Sequence, residues 1–239
     1  MKFNKEYFSF EKQKPDDQPI KDSTSLGHGY YLHTLPPQMM QELKTSVDDV
    51  QNNFSKAVSY TEHLVGKIDH EYKFDFTPNC KSYLNNVFKD YLLASGLGRK
   101  TANLFHTVSS PESFYDKIYF DVPDVWVNFQ LKHEYNPPHF HAGLFSFVIW
   151  YQIPFTHDEE SKAGPGQYSL GEGKHVSHGD FSFLFNGSTG PKIHALNIDS
   201  SWNGNICIFP SKLHHMVYPF YSSDDPRITI AGNVFLKPI

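Results

Sequence analysis

Cysteine, basic charge and long apolar runs are all scarce in this chain, and each shortage removes a class of protein. The two cysteines among 239 residues, Cys80 and Cys207, stand in unrelated contexts. They give no disulfide framework, which points to a reducing cytoplasm and to two small buried side chains. Lys and Arg number 21 against 26 Asp and Glu, for a formal charge of −5. With no basic run there is nothing to attract nucleic acid, and none is expected as a partner. The longest apolar run, Leu144 to Trp150, is too short to span a bilayer, and the opening MKFNKEYFSFEKQKPDDQP lacks the apolar stretch of a secretion signal. No internal repeat or low-complexity tract is visible. The expectation is one soluble domain over residues 1–239, with no membrane partner.

What is present changes character along the chain. Met40, Leu43, Val47, Val50, Phe54 and Ala57 recur at steps of three and four, an apolar stripe on a helix expected over about residues 37–65 with Gly66 as its stop. Thr77 suits a cap and Pro78 the first position of a second helix, with Tyr83, Leu84, Val87, Phe88, Tyr91 and Leu92 on its buried face and an end near Gly96 and Gly98. From Tyr119 onward, short aromatic and β-branched runs alternate with Gly, Pro, Asn and Asp, the pattern of a sandwich or barrel. Strands are expected near 125–132, 144–153, 180–186, 192–198, 205–209, 214–218 and 227–236. The polar, Gly-rich stretch 156–179 reads as a long loop, either a lid or substrate-binding element or an insertion without function. The expected fold class is mainly β with N-terminal helices (α+β): helical support over about 1–118 and a strand core over 119–239.

The chemistry concentrates in three segments. In NPPHFHAGLFSFVIWYQIP, His139 and His141 stand at i and i+2, which on an extended backbone share one face. FPSKLHHMVYP offers His214 or His215 as a third imidazole; the two point to opposite faces, and parity does not choose between them. Three side chains from two strands can occupy one face of an octahedral ion and leave adjacent positions open, the arrangement of mononuclear iron oxygenases. The usual set is two His and one carboxylate, whereas no carboxylate stands at the expected spacing here. Three neutral imidazoles leave a divalent ion uncompensated, which favours a dianionic partner. In RITIAGNVF, Arg227, Thr229 and Ala231 share a face. An inward guanidinium demands an anion, and its planar fork fits a carboxylate, with the Thr229 hydroxyl as a further donor. The competing reading is a surface Arg beside Asp224 and Asp225. His33, His63, His70, His106, His133, His157, His175, His178 and His194 lack a partner at ligand spacing and read as surface or satisfied polar residues. Trp150, Tyr151, Tyr168, Trp202 and Tyr218 read as core more readily than as a substrate groove.

The order NPPHxHxGxxSFVI, then FPSxLxHxVxP, then RITIAGN resembles the 2-oxoglutarate- and Fe(II)-dependent oxygenases, in particular the prolyl-4-hydroxylase-like branch found in bacteria and phages. The resemblance covers roughly residues 120–236. It implies a double-stranded β-helix, or jelly roll, flanked by helices, with iron at the open end. Position by position it implies metal ligation by His139, His141 and His215. His215 rather than His214 falls on the FPSxxxH spacing, and His141 stands where the wider superfamily has Asp. Arg227 and Thr229 match the residues that hold the far carboxylate of 2-oxoglutarate, and Gln130, with Asn128 as a second candidate, matches a further cosubstrate contact. No catalytic residue beyond the metal ligands is implied. The implied activity is a dioxygenase that consumes 2-oxoglutarate and O2, hydroxylates a C–H bond of a peptide or small molecule, with a prolyl group as the target the branch suggests, and releases succinate and CO2. The implied location is the cytoplasm, of the host if phage-encoded. Two other readings stand beside it. One is a cupin-like three-His metalloprotein that gives Arg227 no role, and the other a noncatalytic jelly-roll protein that binds a partner or a virion surface.

Overall fold

Alternation of side chains along the strands decides the architecture. The computed structural model describes residues 29–95, 118–164, 178–187 and 190–239. Its strands are β1 (Tyr31–Thr34), β2 (Glu71–Lys73), β3 (Ile118–Asp121), β4 (Val125–Gln130), β5 (Asn136–His139), β6 (Phe145–Gln152), β7 (Phe181–Gly187), β8 (Gly190–Ala195), β9 (Asn205–Pro210), β10 (His214–Val217) and β11 (Arg227–Pro238). Its helices are α1 (Pro37–Asn52), α2 (Pro78–Ala94) and α3 (His157–Ala163). A major sheet runs in the order β1-β9-β6-β11-β4-β2 with β3 on the far end of β11, and a minor sheet runs β5-β10-β7-β8. All of these pairings are antiparallel.

Each central strand of the major sheet is buried on both faces, and its two parities serve two cores. Val125, Val127 and Phe129 of β4, Phe145, Phe147 and Ile149 of β6, Ile206 and Ile208 of β9 and Ile228 and Ile230 of β11 pack on the helices. Val148, Trp150, Cys207 and Phe209 point the other way, onto Phe181, Phe183 and Phe185 of the minor sheet. Each buried Phe, Ile or Leu contributes roughly 1.5–3 kcal/mol, so these two layers fix the register against a one-residue slip that would exchange them. Two sheets face to face with helices outside one of them is the helix-flanked jelly roll expected from the sequence. Both cysteines are buried and unbonded, as expected. No helix among the described residues is long and apolar enough to cross a membrane.

The second helix forms as anticipated: Thr77 Oγ1 accepts from the Cys80 amide at 3.1 Å, Pro78 opens the helix, and Leu84, Val87, Phe88, Tyr91 and Leu92 are buried. It ends at Ala94; Gly96 and Gly98 lie outside the described residues. The first helix is shorter than the stripe suggests and stops at Asn52, not at Gly66. Asn53 folds its side chain back onto the Asp49 carbonyl at 2.9 Å, and Phe54 leaves the helical path to stack on Tyr72 at 4.9 Å. The stripe therefore continues as packing and not as helix. β1, β2 and β3 were not expected; they are three- and four-residue strands on the flanks of the sheet, too short to show a period. The stretch 156–179 is a loop only in part. Thr156 and Glu159 form a reciprocal capping box that starts α3, and residues 165–177 lie outside the described set.

Candidate metal and carboxylate site

The minor sheet supplies three imidazoles. β5 is the edge strand, which tolerates Pro137 and Pro138, and it pairs with β10 so that His139 and His215 are Cα partners. His141 follows β5 directly, tied by its amide to the Ser211 carbonyl at 2.8 Å. The ligand atoms of His139, His141 and His215 lie within 4.8 Å of one another. Three imidazole nitrogens bound at about 2.1 Å on one face of an octahedral ion stand about 3.0 Å apart, so ligation would draw the widest pair of this set together by more than an ångström. His215, 3% exposed, is the inward member of its pair, while His214 is exposed against Phe140. The parity left open by the sequence is thus resolved in favour of His215.

The donor chemistry suits a metal. His139 Nδ1 meets the Pro137 carbonyl at 2.7 Å and His215 Nδ1 meets the Leu213 carbonyl at 3.1 Å. A carbonyl only accepts, so Nδ1 carries the proton in both rings and Nε2 keeps a free lone pair. Burial holds all three rings neutral: His141 is pushed down to about 4 by burial and then by His139, and His215 lies well below its ordinary value through burial, His139 and His141. His139 is lowered by burial as well. Phe181 stacks on His215 at 5.3 Å and Phe209 meets it edge-on at 4.8 Å, which locks the ring. Trp126 does the same for His141 at 5.8 Å.

The major sheet faces these rings with donors. Arg227, 1% exposed, is interior, so the surface reading beside Asp224 and Asp225 fails. Asp224 pairs with Lys132 instead. Gly179 accepts from Arg227 Nη1 and holds φ +71°, where an added Cβ would strike the Phe155 ring. Burial lowers the Arg227 pKa to about 10, against the pull of Asp180 and Glu160, and the group stays charged at neutral pH. Asp180 is itself buried, and burial pushes its carboxyl up to about 7 despite His157 and Arg227. Thr229 follows on the same face, its hydroxyl taking a hydrogen bond from Asn128 Nδ2 at 3.1 Å. Gln130, expected as a cosubstrate contact, makes its hydrogen bonds within the chain. Its Oε1 accepts from both Nε (3.0 Å) and Nη2 (2.5 Å) of Arg227, and its Nε2 donates to the Glu134 carbonyl at 2.6 Å. It lines the cavity but spends its polar atoms on the guanidinium fork.

Between these walls lies a cavity of about 50 Å³ lined by the three histidines, Arg227, Thr229, Asn128, Gln130, Trp126 and Trp150. That volume suits a few waters, at roughly 10–15 Å³ each, and a dicarboxylate would need more. Leu64, Val65 and Ile68 line it too. They belong to a segment joined to the turn after β4 by paired backbone bonds between Lys67 and Tyr135 and by the Asp69 amide on Glu134 Oε1 at 3.1 Å. The sequence reading missed the buried acids Glu71, Glu134, Glu160 and Asp180, since an isolated acid looks the same whether exposed or buried. Of the histidines set aside, His178 is buried with Nδ1 3.3 Å from the Glu160 carbonyl, while His106 and His175 lie outside the described residues, as does Tyr168.

Comparison with known proteins places this geometry. No curated protein matches the chain by sequence. Among solved structures, the chain is similar to a prolyl-4-hydroxylase from Pseudomonas putida (13% identity, 90% of this chain and 96% of that chain, TM-score 0.49). It is similar to a prolyl hydroxylase from Trichoplax adhaerens solved with a hypoxia inducible factor peptide fragment (12% identity, 90% and 86%, TM-score 0.48). It is also similar to SnoK, a non-heme alpha ketoglutarate dependent carbocyclase from nogalamycin biosynthesis (10% identity, 95% and 85%, TM-score 0.50). At 10% identity the likeness to SnoK speaks to the fold alone. Residues 124–233 match the family model described as putative 2OG-Fe(II) oxygenase, a span that contains all three histidines, Arg227 and Thr229. That segment is similar to the 2OG-Fe(II) oxygenases, a family whose description names both Fe(II) and 2-oxoglutarate.

Proposed function

We propose that the protein is a 2-oxoglutarate-dependent hydroxylase in which His139, His141 and His215 hold Fe(II), while Arg227 and Thr229 receive the far carboxylate of the cosubstrate. The observation that carries this reading is the opposition across one cavity of three neutral imidazoles and a buried guanidinium. When bound, Fe(II) and 2-oxoglutarate supply the activation of dioxygen, and the cosubstrate leaves as succinate and CO2. The chain's own groups bind, orient and shield. Pro137 and Leu213 hold the tautomers that aim Nε2 inward. Arg227 keeps its charge in a dry site, where an ionic hydrogen bond to a carboxylate is strong. Asn128 fixes the direction of the Thr229 hydroxyl. Leu64, Val65 and Ile68 give the cavity an apolar side. The proposed outcome is hydroxylation of a C–H bond, with a peptidyl or free prolyl group as the first substrate class to screen.

A cupin-like three-His site used without 2-oxoglutarate explains the absence of a carboxylate ligand but leaves a fully buried, charged Arg227 with no purpose. Anaerobic addition of Fe(II) and then 2-oxoglutarate is expected to produce the weak visible band of the metal–keto acid chelate. Admission of air is then expected to yield succinate. Metal binding with neither band nor succinate would favour the cupin-like reading.

A further inference from the structure

Beside the cavity two buried oxygens lack a donor among the described residues: Asn128 Oδ1, on a residue that lines the cavity, and Glu71 Oε1. Asn128 on β4 is 7% exposed and Glu71 on β2 is 3% exposed, although β2 is the edge strand of the major sheet. The two are Cα partners across the antiparallel β2–β4 ladder. Such partners project to the same face with Cβ atoms about 5 Å apart, and for Asn128 that face is the cavity. Asn128 turns its amide nitrogen to Thr229. Asn128 Oδ1 and Glu71 Oε1 have no hydrogen-bond partner among the described residues. Buried polar atoms are almost always satisfied, so these two acceptors call for a donor, either the proton that burial keeps on Glu71 or a group from outside that displaces it.

The surroundings select which donor. Glu134 lies close enough to act on Glu71 electrostatically, and both of its own oxygens accept from backbone amides, of Asp69 at 3.1 Å and Leu131 at 2.7 Å. The local field is therefore negative, and an acidic group would be repelled. A hydroxyl brings a single hydrogen for two acceptors. An ammonium brings two or three, with a charge that complements the carboxylate left when the Glu71 proton is displaced. Leu64, Val65, Ile68 and Trp126 line the cavity beside Asn128 and offer apolar contact to whatever carries the donor.

We propose that Glu71 and Asn128 Oδ1 form a subsite for the ammonium group of the oxidised substrate, a primary or secondary amine carried on an apolar chain. The proposal rests on the oxygenase reading above. Its test uses the full chain loaded anaerobically with Fe(II) and 2-oxoglutarate and titrated calorimetrically with n-butylammonium chloride, with 1-butanol as the uncharged probe. Butylammonium is expected to bind saturably and at least about tenfold more tightly than 1-butanol. Glu71→Gln is expected to lose that advantage while the chelate band is retained. Equal binding of the two probes, or butylammonium binding unchanged in Glu71→Gln, overturns the subsite. Loss of the chelate band in the wild-type chain strikes at the oxygenase reading instead. If Glu71→Gln does not fold, the comparison of the two probes on the wild-type protein still decides.

Discussion

The two walls of the cavity are opposites. The minor-sheet wall offers lone pairs on three rings held neutral by burial, and the major-sheet wall offers N–H and O–H donors around one permanent charge. Among the described residues the imidazoles have no anion beside them, whereas Arg227 has its fork filled by a neutral amide oxygen. Each wall is therefore stable without a ligand, and each is incomplete in the opposite sense. One lacks a cation, and the other has no ion pair among the described residues, Asp180 and Glu160 acting on Arg227 only through their field. A single dianion that chelates a metal at one end and presents a carboxylate at the other satisfies both walls, which neither a free metal nor a lone carboxylate does.

The sharpest way to break the contrast is on β10, where adjacent residues face opposite ways. His215→Ala is expected to weaken Fe(II) binding by at least about 100-fold, since it removes a proposed ligand whose lone pair is already aimed inward. His214→Ala, which trims an exposed ring, is expected to change it by less than about twofold. Anaerobic metal titration distinguishes them, and equal losses would remove the metal role from the minor-sheet wall. On the other wall, Arg227→Ala is expected to raise the 2-oxoglutarate concentration for half-formation of the chelate band by about 100-fold, near 3 kcal/mol, and to leave Fe(II) binding alone. The same variant strands the Gln130, Gly179 and Tyr218 oxygens, so denaturant unfolding is expected to show a loss of several kcal/mol.

Gln130 tests whether the fork must be free. Gln130→Glu replaces a neutral acceptor with a carboxylate in contact with Nε and Nη2, a built-in rival for the proposed cosubstrate. Affinity for 2-oxoglutarate is expected to fall about tenfold, read from the same band. An unchanged affinity would mean that the cosubstrate approaches Arg227 by the Nη1 edge alone.

Periodicity made one level of this molecule legible and left another hidden. Alternation placed Trp126, Asn128 and Gln130 on one face, and Arg227 with Thr229 on another, and the structure brings both sets to the same cavity. It also anticipated every central strand to within a few residues. Parity names a face and not a partner, however, so it did not show that Gln130 would turn to Arg227, which depends on the Arg227–Gln130 register between strands far apart in sequence. The stripe through Phe54 and Ala57 named correct core residues but overran the helix, because the same contacts are reached after the chain turns at Asn53. β5 hid behind Pro137 and Pro138, which argue against a strand except at an edge. Glu71 gave no signal at all: a three-residue strand has no period, and only its pairing with Asn128 reveals that the acid faces inward.

Glu71 also supplies the smallest expected effect, a blemish on the otherwise basic major-sheet wall. Burial, with a further push from Glu134, raises its carboxyl from the ordinary 4.5 to about 8. Between those values the folded chain keeps a proton that the unfolded chain has released. The unfolded state then binds fewer protons, so stability declines as pH climbs through the window and levels off above about 8. Gln cannot ionise and shows no such decline. Urea unfolding of the metal-free chain at pH 5 and pH 8 is therefore expected to show Glu71→Gln gaining on the wild type as pH rises. By the upper end the gain is expected to be on the order of 1–3 kcal/mol, the size of a buried polar group left unsatisfied. A gain that is the same at both pH values would mean that Glu71 ionises as freely folded as unfolded, and the negative patch beside Asn128 would then be a solvated one.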